Sequence, residues 1–234
     1  MLAKPIVPGL YVIPLGPVNT FLLDDDGLTL IDTGVPGSGQ KIVQAIRELG
    51  RQPDEIRRIL ITHCHPDHAG GLAEVQALTS APTYAHPLDA PDIQAGQVSR
   101  PVRPAPKLIT RILYELLIRR SSPRYPPARV DHELNGGDEL PIAGGLQVIH
   151  APGHAAGQVV FFWPQHGGVL FAADTCGNLP RFGYSVVYED FALGQQTLAK
   201  LAAYEFEIAC FGHGSAILNK AAQRFREKWG KPPA

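Results

Sequence analysis

Positions 63 to 68 read His63-Cys64-His65-Pro66-Asp67-His68 and follow directly on the apolar run Ile59-Leu60-Ile61. Imidazoles and a carboxylate this dense at the end of a strand pattern are the donor set of a metal site, so the rest of the chain must bring further donors to the same place. In an extended segment alternate side chains share a face, so His63 and His65 can meet one ion while Cys64 faces away. Pro66 disfavours helical geometry at His65 and keeps it extended, after which Asp67 and His68 sit on the turn into a helix and can face a second point nearby. Gly70 and Gly71 let the backbone pass close to neighbouring structure, and Leu72 to Leu78 has the apolar spacing of a helix.

The missing donors recur later with the same local logic. His154 stands in Ala151-Pro152-Gly153-His154 after the alternation Leu146 to Ile149. Asp174 follows Val169-Leu170-Phe171-Ala172-Ala173, and His213 lies in Phe211-Gly212-His213-Gly214 after the apolar stretch 206–210. Each polar residue ends an apolar run and is flanked by turn formers, as expected of ligands gathered from strand ends along one sheet edge.

These residues resemble those of the metallo-β-lactamase superfamily. Its His-x-His-x-Asp-His motif is matched by His63, His65, Asp67 and His68, its later single ligands by His154, Asp174 and His213, and its first strand and turn by Leu30-Ile31-Asp32-Thr33-Gly34. The resemblance implies one metal on His63, His65 and His154 and another on Asp67, His68 and His213, with Asp174 bridging. Asp32 would support the metal loop from behind, although Asp-Thr-Gly also suits a simple turn. The implied activity is hydrolysis of an ester, thioester, lactone or lactam carbonyl by a hydroxide held between two divalent ions, zinc foremost and iron or manganese as alternatives, with Asp67 orienting the hydroxide or moving its proton. Tyr184 and Arg181 are the candidate substrate contacts, Tyr184 as the carbonyl-binding tyrosine of a lactonase or else as packing. The stretch 175–181 does not reproduce the glutathione-binding residues of the thioesterase branch. The other readings are a mononuclear iron enzyme like the sulfur dioxygenases and a metal-stabilised binding protein without turnover. Cys64 and Cys176 read as small packing residues, and His86, His132, His150 and His166 as ordinary histidines.

Strand-like runs at Tyr11 to Leu15, Thr20 to Leu23 and Leu28 to Asp32 predict an antiparallel meander, followed by a helix over 38–49 and the strand Ile56 to Thr62. A second strand series over about 138–174, a helix near 190–204, a strand at 206–210 and a helix over 216–229 repeat the order. Two such halves make an α/β (or α+β) four-layer αβ/βα sandwich, with 1–234 forming one domain. The segment of about 100–130 interrupts it. Eight basic residues, Arg100, Arg103, Lys107, Arg111, Arg119, Arg120, Arg124 and Arg129, face the single acid Glu115 there, and six prolines bracket a helix with Leu108, Ile109, Ile112, Leu113, Leu116 and Leu117 on one face. It reads either as a surface helix docked on the core or as a lid, an anionic-substrate clamp or, over 107–120, a homodimer contact.

A net charge of −1, with 44% hydrophobic and 18% charged residues, describes a globular protein acting on a small molecule and gives no case for nucleic-acid binding. Prolines interrupt the first nine residues, no run approaches a membrane span, and three cysteines lack a framework spacing. The expectation is a cytoplasmic address without stable membrane insertion.

Overall fold

The computed structural model describes residues 2–230. The chain opens on an antiparallel meander of β1 (Lys4–Val7), β2 (Leu10–Pro14), β3 (Asn19–Asp25) and β4 (Gly27–Ile31). Helix α1 (Gly39–Glu48) then crosses to β5 (Ile56–Leu60), and α2 (Leu72–Thr79) to β6 (Thr83–Ala85), each new strand pairing in parallel with the previous one. After α3 (Ala90–Ala95), β7 (Arg103–Pro104) and α4 (Leu108–Leu113), strand β8 (His132–Glu133) adds a parallel edge to β6. The second half runs through β9 (Glu139–Leu140), β10 (Leu146–His150), β11 (Val159–Trp163) and β12 (Val169–Phe171) as antiparallel neighbours. A hairpin of β13 (Cys176–Asn178) and β14 (Phe182–Tyr184) follows. Next come β15 (Val187–Tyr188), α5 (Phe191–Leu201), β16 (Ile208–Cys210) and α6 (Ala221–Trp229).

Strand alternation sorts the apolar side chains into layers. In β3, β4 and β5, Leu22, Leu28, Leu30 and Ile59 turn outward to Ile42, Ile46, Leu72 and Val75 of α1 and α2. Their neighbours Phe21, Leu23, Ile31 and Leu60 turn inward and meet Val148, Val159, Phe161, Phe171 and Ile208 of the other sheet. That second sheet sends Ile149, Val160, Leu170 and Ala209 outward against Leu198, Leu201, Phe225 and Trp229 of α5 and α6. The result is helix, sheet, sheet, helix: the four-layer sandwich expected from the sequence. Phe21 and Phe171 mark its centre, edge to face at 5.5 Å between ring centroids.

Pairing direction fixes where the loops go. β4 and β5 are parallel, so Asp32 and the loop from Thr62 leave at the same edge. β10 and β12 both run antiparallel to β11, and β16 runs parallel to β12, so the residues following all three also share an edge. Val159 N donates to Thr62 O (2.9 Å) and Asn19 N to Gly212 O (2.8 Å), which binds the two sheets together at those loops.

Two elements depart from the sequence expectation. The C-terminal helix starts at Ala221 rather than residue 216, because Ile217 and Ala209 exchange backbone hydrogen bonds at 2.9 Å and hold the approach extended. The middle helix ends at Leu113 and continues as a π-helical turn over Tyr114–Ile118, and it is not docked on the core through its apolar face: Thr110 is the buried residue of α4.

Gly70 and Gly71 carry the metal loop into α2 at very close backbone approach. A Cβ on Gly70 would lie 2.0 Å from Pro66 O and 2.5 Å from Pro36 Cδ, and one on Gly71 would lie 2.3 Å from Thr33 O. The obstacles are backbone and a proline ring, which cannot swing aside. Gly70→Ala should therefore lower stability by roughly 2 kcal/mol or more, read as a lower midpoint in urea unfolding. Gly37→Ala, where a Cβ meets nothing within 4 Å but φ is +88°, should cost only about 1 kcal/mol.

Candidate metal centre

Buried hydrogen bonds dictate which nitrogen each histidine presents. A carboxylate can only accept, so Asp32 Oδ2 receives the Thr62 hydroxyl (2.8 Å) and His68 Nδ1–H (2.8 Å), while Oδ1 receives Thr62 N–H (2.8 Å). With its proton committed to Asp32, the Thr62 oxygen accepts from His63 Nδ1–H at 3.0 Å. His154 Nδ1–H donates to Val187 O and His213 Nδ1–H to Pro17 O, both at 2.8 Å. Four imidazoles thus have Nδ1 tied to a fixed acceptor, so that in the neutral ring, the form that binds a metal, the free lone pair is on Nε2. His65 completes the group from the other side, its Nδ1 2.9 Å from His154 Nε2.

Those lone pairs converge. Donor atoms of His63, His65 and His154 lie within 4.8 Å of one another, as do those of His63, His68 and Asp174, and of Asp67, His68 and His213. Asp174 stands between the groups: Oδ2 is 3.1 Å from His213 Nε2 and 3.7 Å from His154 Nε2, and Oδ1 is 3.4 Å from His68 Nε2. Asp67 Oδ2 is 3.2 Å from His213 Nε2. His63 Nε2, His65 Nε2, His68 Nε2 and Asp174 Oδ1 are buried with no hydrogen-bond partner. Buried polar atoms left so are costly, and the gathering of His63, His68 and Asp174 donors within 4.8 Å of one another fits a cation.

The electrostatics divide the cluster. Burial pushes His65 down to about 4 and His154 to about 3, so both are neutral donors at physiological pH. Burial also opposes charge on His68, but the carboxylates of Asp174, Asp32 and Asp67 outweigh it and raise this imidazole to about 10. Asp174 does the same to His213, raised to about 12. The buried Asp174 carboxyl and the partly exposed Asp67 carboxyl are both held well below their usual range against desolvation, chiefly by His68 and His213. The field at this point favours positive charge.

Backbone geometry aims the ligands. Asp32 and Ala173, the residue before Asp174, hold the left-handed conformation at φ 62° and 45°, uncommon for residues with side chains. Gly212 has no side chain for a steric reason: a Cβ there would lie 2.1 Å from Asp174 Oδ1 and 2.6 Å from His68 Cε1. Thr33 donates through N and Oγ1 to His68 O at 2.8 and 2.9 Å, pinning the loop to the end of β4. Asn19 Nδ2 donates to Phe211 O and Gly214 O at 3.0 and 2.8 Å and so grips the His213 loop from the first sheet. Nothing in the sequence around Asn19 signals that role, since its partners lie nearly two hundred residues away.

Behind the loop is a partly buried ion network that the sequence had merged with the basic patch. Arg100 pairs with Asp89, and its Nε donates to Glu189 Oε1 and Oε2 at 2.9 and 3.0 Å. Asp89 accepts from Cys64 N and Gly157 N at 3.0 Å each, and Glu189 Oε2 accepts from Ala156 N at 3.0 Å. This clamp joins the loop carrying His63 and His65 to the loop carrying His154. Arg100 is therefore consumed internally and is no part of a free positive surface. The Cys64 thiol faces this network, and burial pushes it well above the ordinary thiol range, so it stays protonated. Tyr188, another residue without a sequence signal, packs edge-on to His154 at 5.9 Å and donates to Thr175 O at 2.8 Å.

The candidate substrate residues lie on and beside the β13–β14 hairpin. Tyr184 packs its ring against Tyr188, Phe191 and Trp229, with Gln195 Nε2 3.4 Å from its hydroxyl, and Arg181 is exposed. His86 and His150 stack on each other at 4.3 Å, and His132 lies against Tyr84.

Comparison with known proteins gives a match to the model of the metallo-beta-lactamase superfamily over residues 13–213. The chain is 30% identical over 162 residues to the Bacillus subtilis protein YobT, covering 68% of this chain and 62% of that one, a little under two thirds of the relative's length. It is 25% identical over 230 residues to an N-acyl homoserine lactonase of Bacillus thuringiensis, covering 84% of this chain and 81% of the relative. In fold it resembles MEM-A1, a subclass B3 metallo-beta-lactamase from a soil metagenome library, with TM-score 0.75 at 21% identity over 98% of this chain and 93% of that one.

Replacing Arg100 by Met keeps the stem but leaves the buried Asp89 carboxylate without its cation. Stability should fall by about 3 kcal/mol, measured by urea denaturation. The double variant Arg100→Met/Asp89→Asn should lose less than the sum of the single losses, because the charge stranded by the first change is removed by the second.

Proposed function

Because the chain belongs to the metallo-β-lactamase superfamily, we propose that it is a metal-dependent hydrolase of a small carbonyl compound and that it works with two divalent cations. The observation that carries the reading is the convergence of His63, His68 and Asp174, each with a buried donor atom that lacks a hydrogen-bond partner, next to the group of His63, His65 and His154. His63, His65 and His154 would hold one ion and Asp67, His68 and His213 the other, with Asp174 shared, as its approach to both His154 and His213 supports. An imidazole-rich set without a thiolate suits zinc first. Bound there, the ions would supply hydroxide near neutral pH and polarise the substrate carbonyl.

The chain's own residues then have separable tasks. Asp32, Thr62, Val187 and Pro17 fix the imidazole tautomers, so the donors are oriented before anything binds. The Asp67 side chain is 36% exposed at the cluster, beside His213, and stays ionised, so it can accept a hydrogen bond from the attacking water and orient it. Among esters, thioesters, lactones and lactams, a lactone is favoured, since the relative named as a lactonase aligns over most of both chains. Tyr184 and Arg181 lie on or beside the β13–β14 hairpin that follows Asp174, where they can meet the part of a substrate remote from the reacting bond.

The test is elemental analysis of the purified protein followed by turnover on a panel of lactones, esters, thioesters and lactams. About two metal ions per chain are expected. Asp174→Ala should lose the second ion before the first and lower kcat about a hundredfold or more, the scale of losing one preorganised catalytic group. Full turnover at one ion per chain in the unaltered protein would overturn the two-ion reading, and a metal-loaded protein inert across the panel would overturn the hydrolase.

A further inference from the structure

Helix α4 and the π-helical turn after it are built inside out. Thr110 faces the protein and donates to the carbonyls of Ala105 and Lys107 at 2.5 and 2.7 Å, while Leu108, Ile109, Ile112, Leu116 and Leu117 are 76, 58, 45, 71 and 67% exposed. A surface helix ordinarily turns its apolar stripe inward, and a contiguous apolar patch left in water marks a contact surface. The segment is also held in position. Arg103 and Pro104 pair with Tyr188 and Val187, and Ala105 N donates to Val186 O at 2.9 Å.

Charge selects the occupant. Arg103, Lys107, Arg111, Arg119, Arg120 and Arg124 are exposed around the apolar residues, and the one acid among them, Glu115, is occupied by Arg119 at 2.6 Å. A second copy meeting this face across a two-fold axis would set cations against cations. An anionic lipid surface satisfies both features, taking up leucine and isoleucine at the acyl boundary while its phosphates meet arginine and lysine. We propose that α4 and the turn over Tyr114–Ile118 dock the protein on anionic bilayers, lying in the interface plane. No helix among the described residues is long and apolar enough to cross a membrane, so the contact is peripheral.

The experiment is flotation of the full chain with vesicles of phosphatidylcholine alone or containing phosphatidylglycerol. At low salt, binding to the anionic vesicles should exceed binding to the neutral ones at least tenfold and should weaken as salt rises. Leu116→Ser/Leu117→Ser should lose at least tenfold in binding with its circular dichroism and thermal midpoint unchanged, because both residues are already in water. Arg111→Gln and Arg120→Gln should each weaken binding about fivefold, the share of one basic residue at a charged bilayer. Absence of vesicle binding overturns the proposal. A dimer in sedimentation velocity that the leucine variant dissolves, without vesicle binding, would instead make a second copy the occupant. A changed KM for acyl substrates in that variant, again without vesicle binding, would make the segment a lid.

Discussion

The carboxylate of Asp32 is the constraint from which the geometry of the histidine and aspartate cluster follows. It accepts three short hydrogen bonds in a buried position, from the Thr62 backbone, the Thr62 hydroxyl and His68. Since it can only accept, every proton around it is assigned, and that assignment passes through Thr62 to His63. The orientation of two histidines is thus the consequence of one acceptor at the end of β4. Its left-handed backbone at φ 62° is the conformational cost of aiming a carboxylate back under the loop, and the hydrogen bonds it collects offset that cost.

The second sheet reproduces this logic with different chemistry. There the acceptors for His154 and His213 are main-chain carbonyls, of Val187 and Pro17, so orientation depends on how the loops are held. Two devices hold them. The Arg100 network ties the His154 loop to the loop of His63 and His65, and Asn19 ties the His213 loop to the first sheet. The partly buried ions of the first device derive their value from geometry more than from net energy, because desolvation cancels much of the attraction between them.

How much of this was legible in the sequence depends on the range of each interaction. Candidate ligands were readable because each one ends a short apolar run, a local pattern, and the layered fold was readable because alternation in β3, β5, β11 and β12 is local too. Arg100 was unreadable: its carboxylates come from the start of α3, at Asp89 and Asp92, and from Glu189 far along the chain, and in the sequence it stands among seven other cations of the 100–130 segment. Asn19 and Tyr188 were silent for the same reason. The start of α6 was misplaced because Ile217 is apolar at helical spacing yet is held extended by Ala209. In α4 the periodicity was legible and the direction stayed open, since a hydrophobic stripe reports that a face wants cover and cannot say which side the protein lies on.

The grip of Pro17 on His213 spans 196 positions of the chain. A ribosome therefore exposes the early histidines and Asp67 long before the residue that must complete their group. During that interval the growing chain carries a partial set of donors with no second sheet to fix their geometry. Only when the loop after β16 closes on Pro17 and Asn19 does His213 come to stand beside Asp67 and Asp174, so the last ligand position to be made is set by the first residues of the chain.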